Sequence, residues 1–205
     1  NGQILREINF KYKTGRHGAD LKYSSNGDLE FEVNYKNGKK QGISRFYFEN
    51  GRLKEEADYN NDELHGITKN YFENGKLESE GNYKNGKIHG KEIVNWESGE
   101  KYKVAYYDNG KEDGRLNIYY EDGSNAMQAD FSNEKLITVQ RWDSTGNSSM
   151  VVENGNGFYM KDVLPDGEGY YLMHKVDNGY FEDSLVAFDR ELARIEEEIR
   201  RHEGN

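Results

Sequence analysis

Three of the five histidines, His17, His65 and His89, stand directly before a glycine, and His65 and His89 are 24 residues apart. Imidazoles on a fixed spacing invite a metal reading. If the intervening residues form two strands, however, about 10 Å separates the side chains. Ligands of one zinc each sit roughly 2 Å from the ion, so these two cannot share it. No metal site is expected. The 38 acidic residues offer many acid–base pairs, yet no serine or histidine stands in a nucleophile motif and no glycine-rich loop opens a helix. No catalytic residue and no cofactor is expected either. The tyrosines Tyr23, Tyr47, Tyr71 and Tyr119 share the 24-residue register and lie among charged neighbours. They could form an aromatic strip for a protein or glycan partner. The plainer reading is that tyrosine suits a strand and covers its neighbours.

All of these residues belong to one repeat. Gly27, Gly51, Gly75, Gly99 and Gly123 fall 24 apart, as do Gly18, Gly42, Gly66, Gly90 and Gly114. Tyr35, Tyr59, Tyr83, Tyr107 and Phe131 follow the same register, as do Phe48, Phe72, Trp96 and Tyr120. A further series holds only small residues or valine: Val33, Ala57, Gly81, Ala105 and Ala129. Such a period marks an array whose units stack on their neighbours.

Within one unit the Asn-Gly pairs read as type I′ hairpin turns, which need positive φ at both central residues. From a turn at Asn50-Gly51, Phe48 is expected opposite Leu53, Tyr47 opposite Lys54, Arg45 opposite Glu56, Ser44 opposite Ala57 and Gly42 opposite Tyr59. Side chains alternate across a strand. One face would then carry Phe46, Phe48, Leu53, Ala57 and Tyr59, and the next unit would add Phe72, Leu77, Gly81 and Tyr83. The other face carries Tyr47 amid Arg45, Lys54, Glu56 and Asp58. The first face is the expected core and the second the wet face.

The stretch YFENGKLESEGNYKNGKIHG, Tyr71 to Gly90, resembles the MORN repeat variant common in bacteria, including YwqK-family antitoxins. The resemblance covers residues 22–131 well and 132–181 loosely. It implies a mainly β fold, an elongated array of tandem antiparallel β-hairpins, and a non-enzymatic protein-interaction scaffold. The antitoxin label implies a toxin partner neutralised by direct binding. A cell-surface or glycan-binding module is a third, weaker expectation.

Composition sets further bounds. Net charge is −10 and mean hydropathy −1.10, values that lean towards disorder. The 13% aromatic content and the fixed register argue for a folded array instead. There is no cysteine, so a disulfide framework is excluded. No apolar run approaches the roughly 18 residues of a spanning helix. The acidic balance argues against nucleic acid and anionic membrane as partners. Asn1-Gly2 reads as a turn in mid-repeat, since Gly2 to Phe10 repeats the spacing of Gly75 to Tyr83. That start without Met suggests a processed edge and slightly favours an extracytoplasmic site.

The array is expected over residues 1–182, clearest at 22–131 and degenerate at 1–21 and 132–182. Residues 183–205 change character. Leu185, Phe188, Leu192, Ile195 and Ile199 alternate by three and four, the seam of an amphipathic helix. Asp183 or Ser184 can cap it, and Glu196–Arg200 and Glu197–Arg201 are favourable pairs. This helix is expected to cap the array, join two copies or dock a partner.

The unit around Ser98-Gly99 breaks the pattern. Pairing there places Trp96 opposite Lys101, Asn95 opposite Tyr102, Ile93 opposite Val104 and Lys91 opposite Tyr106. The second face then carries Ile93, Tyr102, Val104 and Tyr106 where Arg45–Glu56 stood two units earlier. An apolar cluster on a wet face is expected to be a docking site, unless twist or a slipped register turns it inward.

Overall fold

A computed structural model describes residues 5–11, 15–133, 135–143, 145–154, 156–161, 172–177 and 180–181. The regular elements among them are strands: β1 (Arg6–Lys11), β2 (Gly15–Tyr23), β3 (Leu29–Lys36), β4 (Lys39–Tyr47), β5 (Leu53–Asn60) and β6 (Glu63–Tyr71). They continue as β7 (Leu77–Lys84), β8 (Lys87–Asn95), β9 (Lys101–Asp108), β10 (Lys111–Glu112), β11 (Gly114–Tyr119), β12 (Asn125–Ser132) and β13 (Lys135–Trp142). Last come β14 (Ser148–Glu153), β15 (Asn156–Lys161), β16 (Leu172–Asp177) and β17 (Tyr180–Phe181). Neighbours in sequence pair antiparallel, as in β4–β5, β5–β6 and β6–β7. β10 and β11 both lie on β9. They are one interrupted strand, broken where the Asp113 N–H donates to the Tyr106 carbonyl at 2.9 Å. The expected meander of tandem hairpins is therefore the fold. The helix expected over 184–201, with Leu185, Phe188, Leu192, Ile195 and Ile199, lies outside the described residues.

The turns are of two kinds, which corrects the expectation of one. Asn85-Gly86, between the paired Lys84 and Lys87, has φ of +52° and +77°, as a type I′ turn requires. Asn37-Gly38, Asn61-Asp62 and Asn109-Gly110 share this geometry. At Asn50-Gly51 only the glycine is left-handed, at φ +76°. Here the Gly51 N–H donates to the Phe48 carbonyl at 2.9 Å, and the Phe48 N–H donates to Arg52 at 2.8 Å. The result is a three-residue loop, a type I turn closed by a glycine bulge. The register beside it shifts by one, so Tyr47 pairs with Leu53 rather than Lys54. The same loop recurs at Gly75 and Gly99. Tyr71 accordingly pairs with Leu77, and Asn95 pairs with Lys101 rather than Tyr102. Further from the loop the expected pairs hold: Arg45–Glu56, Ser44–Ala57, Gly42–Tyr59, Ile93–Val104 and Lys91–Tyr106.

The second glycine series lies inside strands, not at turns. Between Ala57↔Thr68 and Tyr59↔Leu64, β5 advances two residues while β6 advances four. Gly66 sits in this bulge at φ +101°, where a Cβ would lie 3.0 Å from Asp58 Oδ2. His65 and His89 thus flank bulges. The turn of each hairpin rests on the strand start of the previous one. Asp62 N–H donates to Lys40 O at 3.1 Å, Gly86 N–H to Leu64 O at 2.9 Å and Gly110 N–H to Ile88 O at 2.8 Å.

The small series forms the floor of the core face. Ser44, Ala57, Thr68, Gly81, Glu92 and Ala105 pair in succession across six strands. All but Glu92 are buried. The roof comes from the same sheet: a Cβ at Gly81 would lie 3.3 Å from Tyr83 Cε2 and 3.4 Å from Ile88 Cδ1. The most apolar packing lies further along, where Ala105, Leu116, Ala129, Phe131, Leu136 and Val139 bury together against Tyr107, Ile118 and Met127. Each large aliphatic buried there contributes about 1.5–3 kcal/mol.

At the other end the row holds a charge. Asp20 is 1% exposed, and Arg6 donates to both its oxygens, Nε at 3.0 Å and Nη2 at 2.8 Å. Arg16 Nη1 adds a contact at 3.2 Å. The Arg6 hydrogen bonds hold the Asp20 carboxyl below the usual range, against burial, which raises it. A depressed native pKa stabilises the fold above the unfolded value near 3.9, and that contribution is lost as pH falls through the native one. Urea melts below about pH 4 should therefore show a shallower loss of stability with falling pH in Asp20→Asn than in the parent chain. The turn assignment makes a second prediction. Asn85→Ala puts an alanine at positive φ and should cost about 1–2 kcal/mol. Glu49→Ala, in the type I turn, should stay within about 0.5 kcal/mol in the same melts.

Candidate interaction surface

Opposite the small row, the second face carries a central ladder of Glu32, Arg45, Glu56, Lys69, Glu80, Ile93 and Val104. Arg45 Nε lies 2.8 Å from Glu56 Oε2, and Lys69 Nζ 3.5 Å from Glu80 Oε2. These pairs are about one-third exposed, so each contributes only about 0–1 kcal/mol. They space and neutralise the ladder more than they hold it. At β8 and β9 the charges give way to the Ile93–Val104 pair. Val104 is 8% exposed within the chain itself, whereas Tyr106 is 43% exposed. Ile93 and Tyr102 are half-buried. Of these four residues, Tyr106 is the one open to a partner.

Tyr23, Tyr47, Tyr71 and Tyr119 each end a strand in successive register positions, with Asn95 interrupting the row. Three of them pair with a leucine, Leu29, Leu53 and Leu77, and Tyr119 with Asn125. All four tyrosines are half-buried. The more open apolar side chains are ones the sequence reading passed over: Ile43 at 43% and Ile67 at 52% exposed. Each follows a bulge glycine and faces a short polar residue, Asp58 or Asn82. That short partner in the sequence is the signal that could have found them.

The register shift at the three-residue loops also moves the Phe48 series. Phe48 and Phe72 were expected on the core face. Instead Lys54 Nζ lies 5.6 Å from the Phe48 ring centroid, and Trp96 meets Tyr102 edge-on at 4.6 Å. Lys54 and Tyr102 belong to the second face. Phe48, Tyr71 and Phe72 line a shallow cleft at these strand ends, together with Lys54, Asn70, Glu73, Glu78 and Glu97. The loops beside it are tied in series: Asn50 Nδ2 donates to Glu73 O at 3.3 Å and Asn74 Nδ2 to Glu97 O at 3.2 Å.

A titratable cluster lies on the core face. Lys103 Nζ is 2.6 Å from Glu92 Oε2, and the Tyr107 hydroxyl donates to the same oxygen at 3.3 Å. Burial works against the Lys103 charge, but Glu92 outweighs it and holds the ammonium above its ordinary range. Burial, reinforced by Glu92, pushes the Tyr107 phenol up as well. Both shifts move away from neutrality, the opposite of what a general base needs. This cluster can hold charge in place rather than move protons. The histidines do not converge: His65 is exposed, and His89 Nδ1 lies 3.1 Å from Asp108 Oδ1. Among the described residues no three His, Asp or Glu side chains gather as a metal would need.

Comparison with known proteins bears on this sheet. No curated protein matches the chain. The family model described as MORN repeat variant matches residues 16–37, 40–61 and 64–85, three tandem repeats running from the start of β2 into the turn after β7.

Proposed function

We propose that the chain is a non-enzymatic scaffold that binds a protein partner through the second face of its sheet. The observation that supports this is the exposure of Ile43, Ile67 and Tyr106 on that face, while the small row on the other face is buried by the chain's own aromatic side chains. Exposed large apolar residues repeated across one sheet face are typical contact anchors. A tandem array also offers the same contact at a fixed spacing of two strands, about 10 Å. The resemblance to YwqK-family antitoxins supplies one partner class, a toxin occluded by direct binding. The helix expected over 184–201 would add a cap or a contact between two copies.

The test is site-specific photo-crosslinking in cells. A photoreactive residue at Ile67 or Tyr106 should capture a discrete protein, and one at Tyr59 or Tyr83 on the core face should not. Equal capture from both faces, or capture from neither, contradicts the reading.

A further inference from the structure

The cleft beside the loops says what kind of group the partner would present. In the hairpin of β4 and β5, the Lys54 ammonium lies over the Phe48 ring, 5.6 Å from its centroid. A cation over an aromatic face is attracted by the ring quadrupole. One repeat later, Phe72 stands in the place of Phe48 and Glu78 in the place of Lys54. The chain's own cation has become a carboxylate, and both residues line the same cleft, with Tyr71. Glu73 and Glu97 are exposed at its rim.

Lys54 also lines the cleft, with its ammonium over Phe48, and the cations beside it are directed elsewhere. Arg52 Nη1 donates to the backbone carbonyl of Glu73 at 2.8 Å, and Lys76 Nζ donates to that of Ser98 at 2.5 Å. Among the described residues Glu73 and Glu78 have no ion-pair partner. In the following hairpin the equivalent place is filled, because Tyr102 packs against Trp96. The aromatic floor bordered by unpaired carboxylates therefore occurs at Phe72.

We propose that this cleft receives a cationic side chain, arginine or lysine, from the partner protein, over the Phe72 ring and against Glu78, as Lys54 lies over Phe48. The proposal rests on the scaffold reading and adds the chemistry of the contact. Charge complementarity supports it: the chain carries a net −10, and the loop series Glu49, Glu73, Glu97 and Glu121 continues the acidic rim along the same strand ends. Such a field steers a basic segment towards the cleft.

The experiment is an NMR titration of the 15N-labelled full chain with the capped tripeptide Gly-Arg-Gly and with Gly-Gln-Gly, which lacks the charge. The arginine peptide should give saturable shifts at Phe72, Glu73 and Glu78, and the glutamine peptide should bind about tenfold more weakly or worse. Glu78→Lys supplies the cation internally and should abolish the shifts without changing the melting temperature. If that variant does not fold, Glu78→Gln should weaken binding by about threefold or more. Equal shifts from both peptides, shifts centred elsewhere, or a folded Glu78→Lys chain that still binds would overturn the proposal. Photo-crosslinking from Ile67 and Tyr106 that persists in Glu78→Lys would leave the scaffold reading standing without this site.

Discussion

Among the described residues the sheet has two faces and no second layer, so each buried position there is covered by side chains of the sheet itself. A glycine paired with an aromatic recurs in five successive hairpins and shapes that cover. Gly18, Gly42, Gly66, Gly90 and Gly114 stand opposite Tyr35, Tyr59, Tyr83, Tyr107 and Phe131. Each of these glycines holds a positive φ, and the bulge around it adds local twist. The rings cover a floor that must stay small, hence Ala57, Gly81 and Ala105 in successive hairpins. Close packing penalises added volume there as much as it does in a globular core.

The same bulges couple neighbouring hairpins. Each type I′ turn donates to the carbonyl at the start of the preceding bulged strand, and the three-residue loops at Gly51 and Gly75 are each tied to the next by an asparagine. Over these units both ends of the strands are therefore cross-linked, and twist in one is passed to the next. Where the floor carries charge, the chain neutralises it internally: Arg6 on Asp20 and Lys103 on Glu92. Between them lie Ser44 and Thr68, buried in the same row. The second face is left with its ladder of exposed ion pairs and the isoleucines beside it.

The hairpins, their period and the buried small row were legible in the sequence, because each rests on a residue type with a sharp physical preference. Asn-Gly at positive φ, glycine opposite tyrosine and alanine beneath a ring are such cases. What the sequence obscured was the difference between KNGK and ENGR or ENGK. Both contain Asn-Gly, yet Asn85 is left-handed and Asn50 is not. That single φ decides whether the loop has two or three residues, and so whether Phe48 and Phe72 border the core or the wet face. Ile43 and Ile67 were overlooked for a related reason. Alternation counts positions along a strand, whereas their exposure depends on the short Asp58 and Asn82 across the bulge.

The claim that the sheet covers its own floor can be tested by adding volume to each face. Gly81 and Lys91 lie on β7 and β8, one beneath Tyr83 and Ile88 and the other exposed on the second face. The measurement is the denaturant unfolding free energy of Gly81→Leu beside that of Lys91→Leu. The account predicts a loss of about 1–3 kcal/mol for the first, by overpacking, and a change within about 0.5 kcal/mol for the second. Equal effects at the two positions, or a Gly81→Leu chain as stable as the parent, would contradict it.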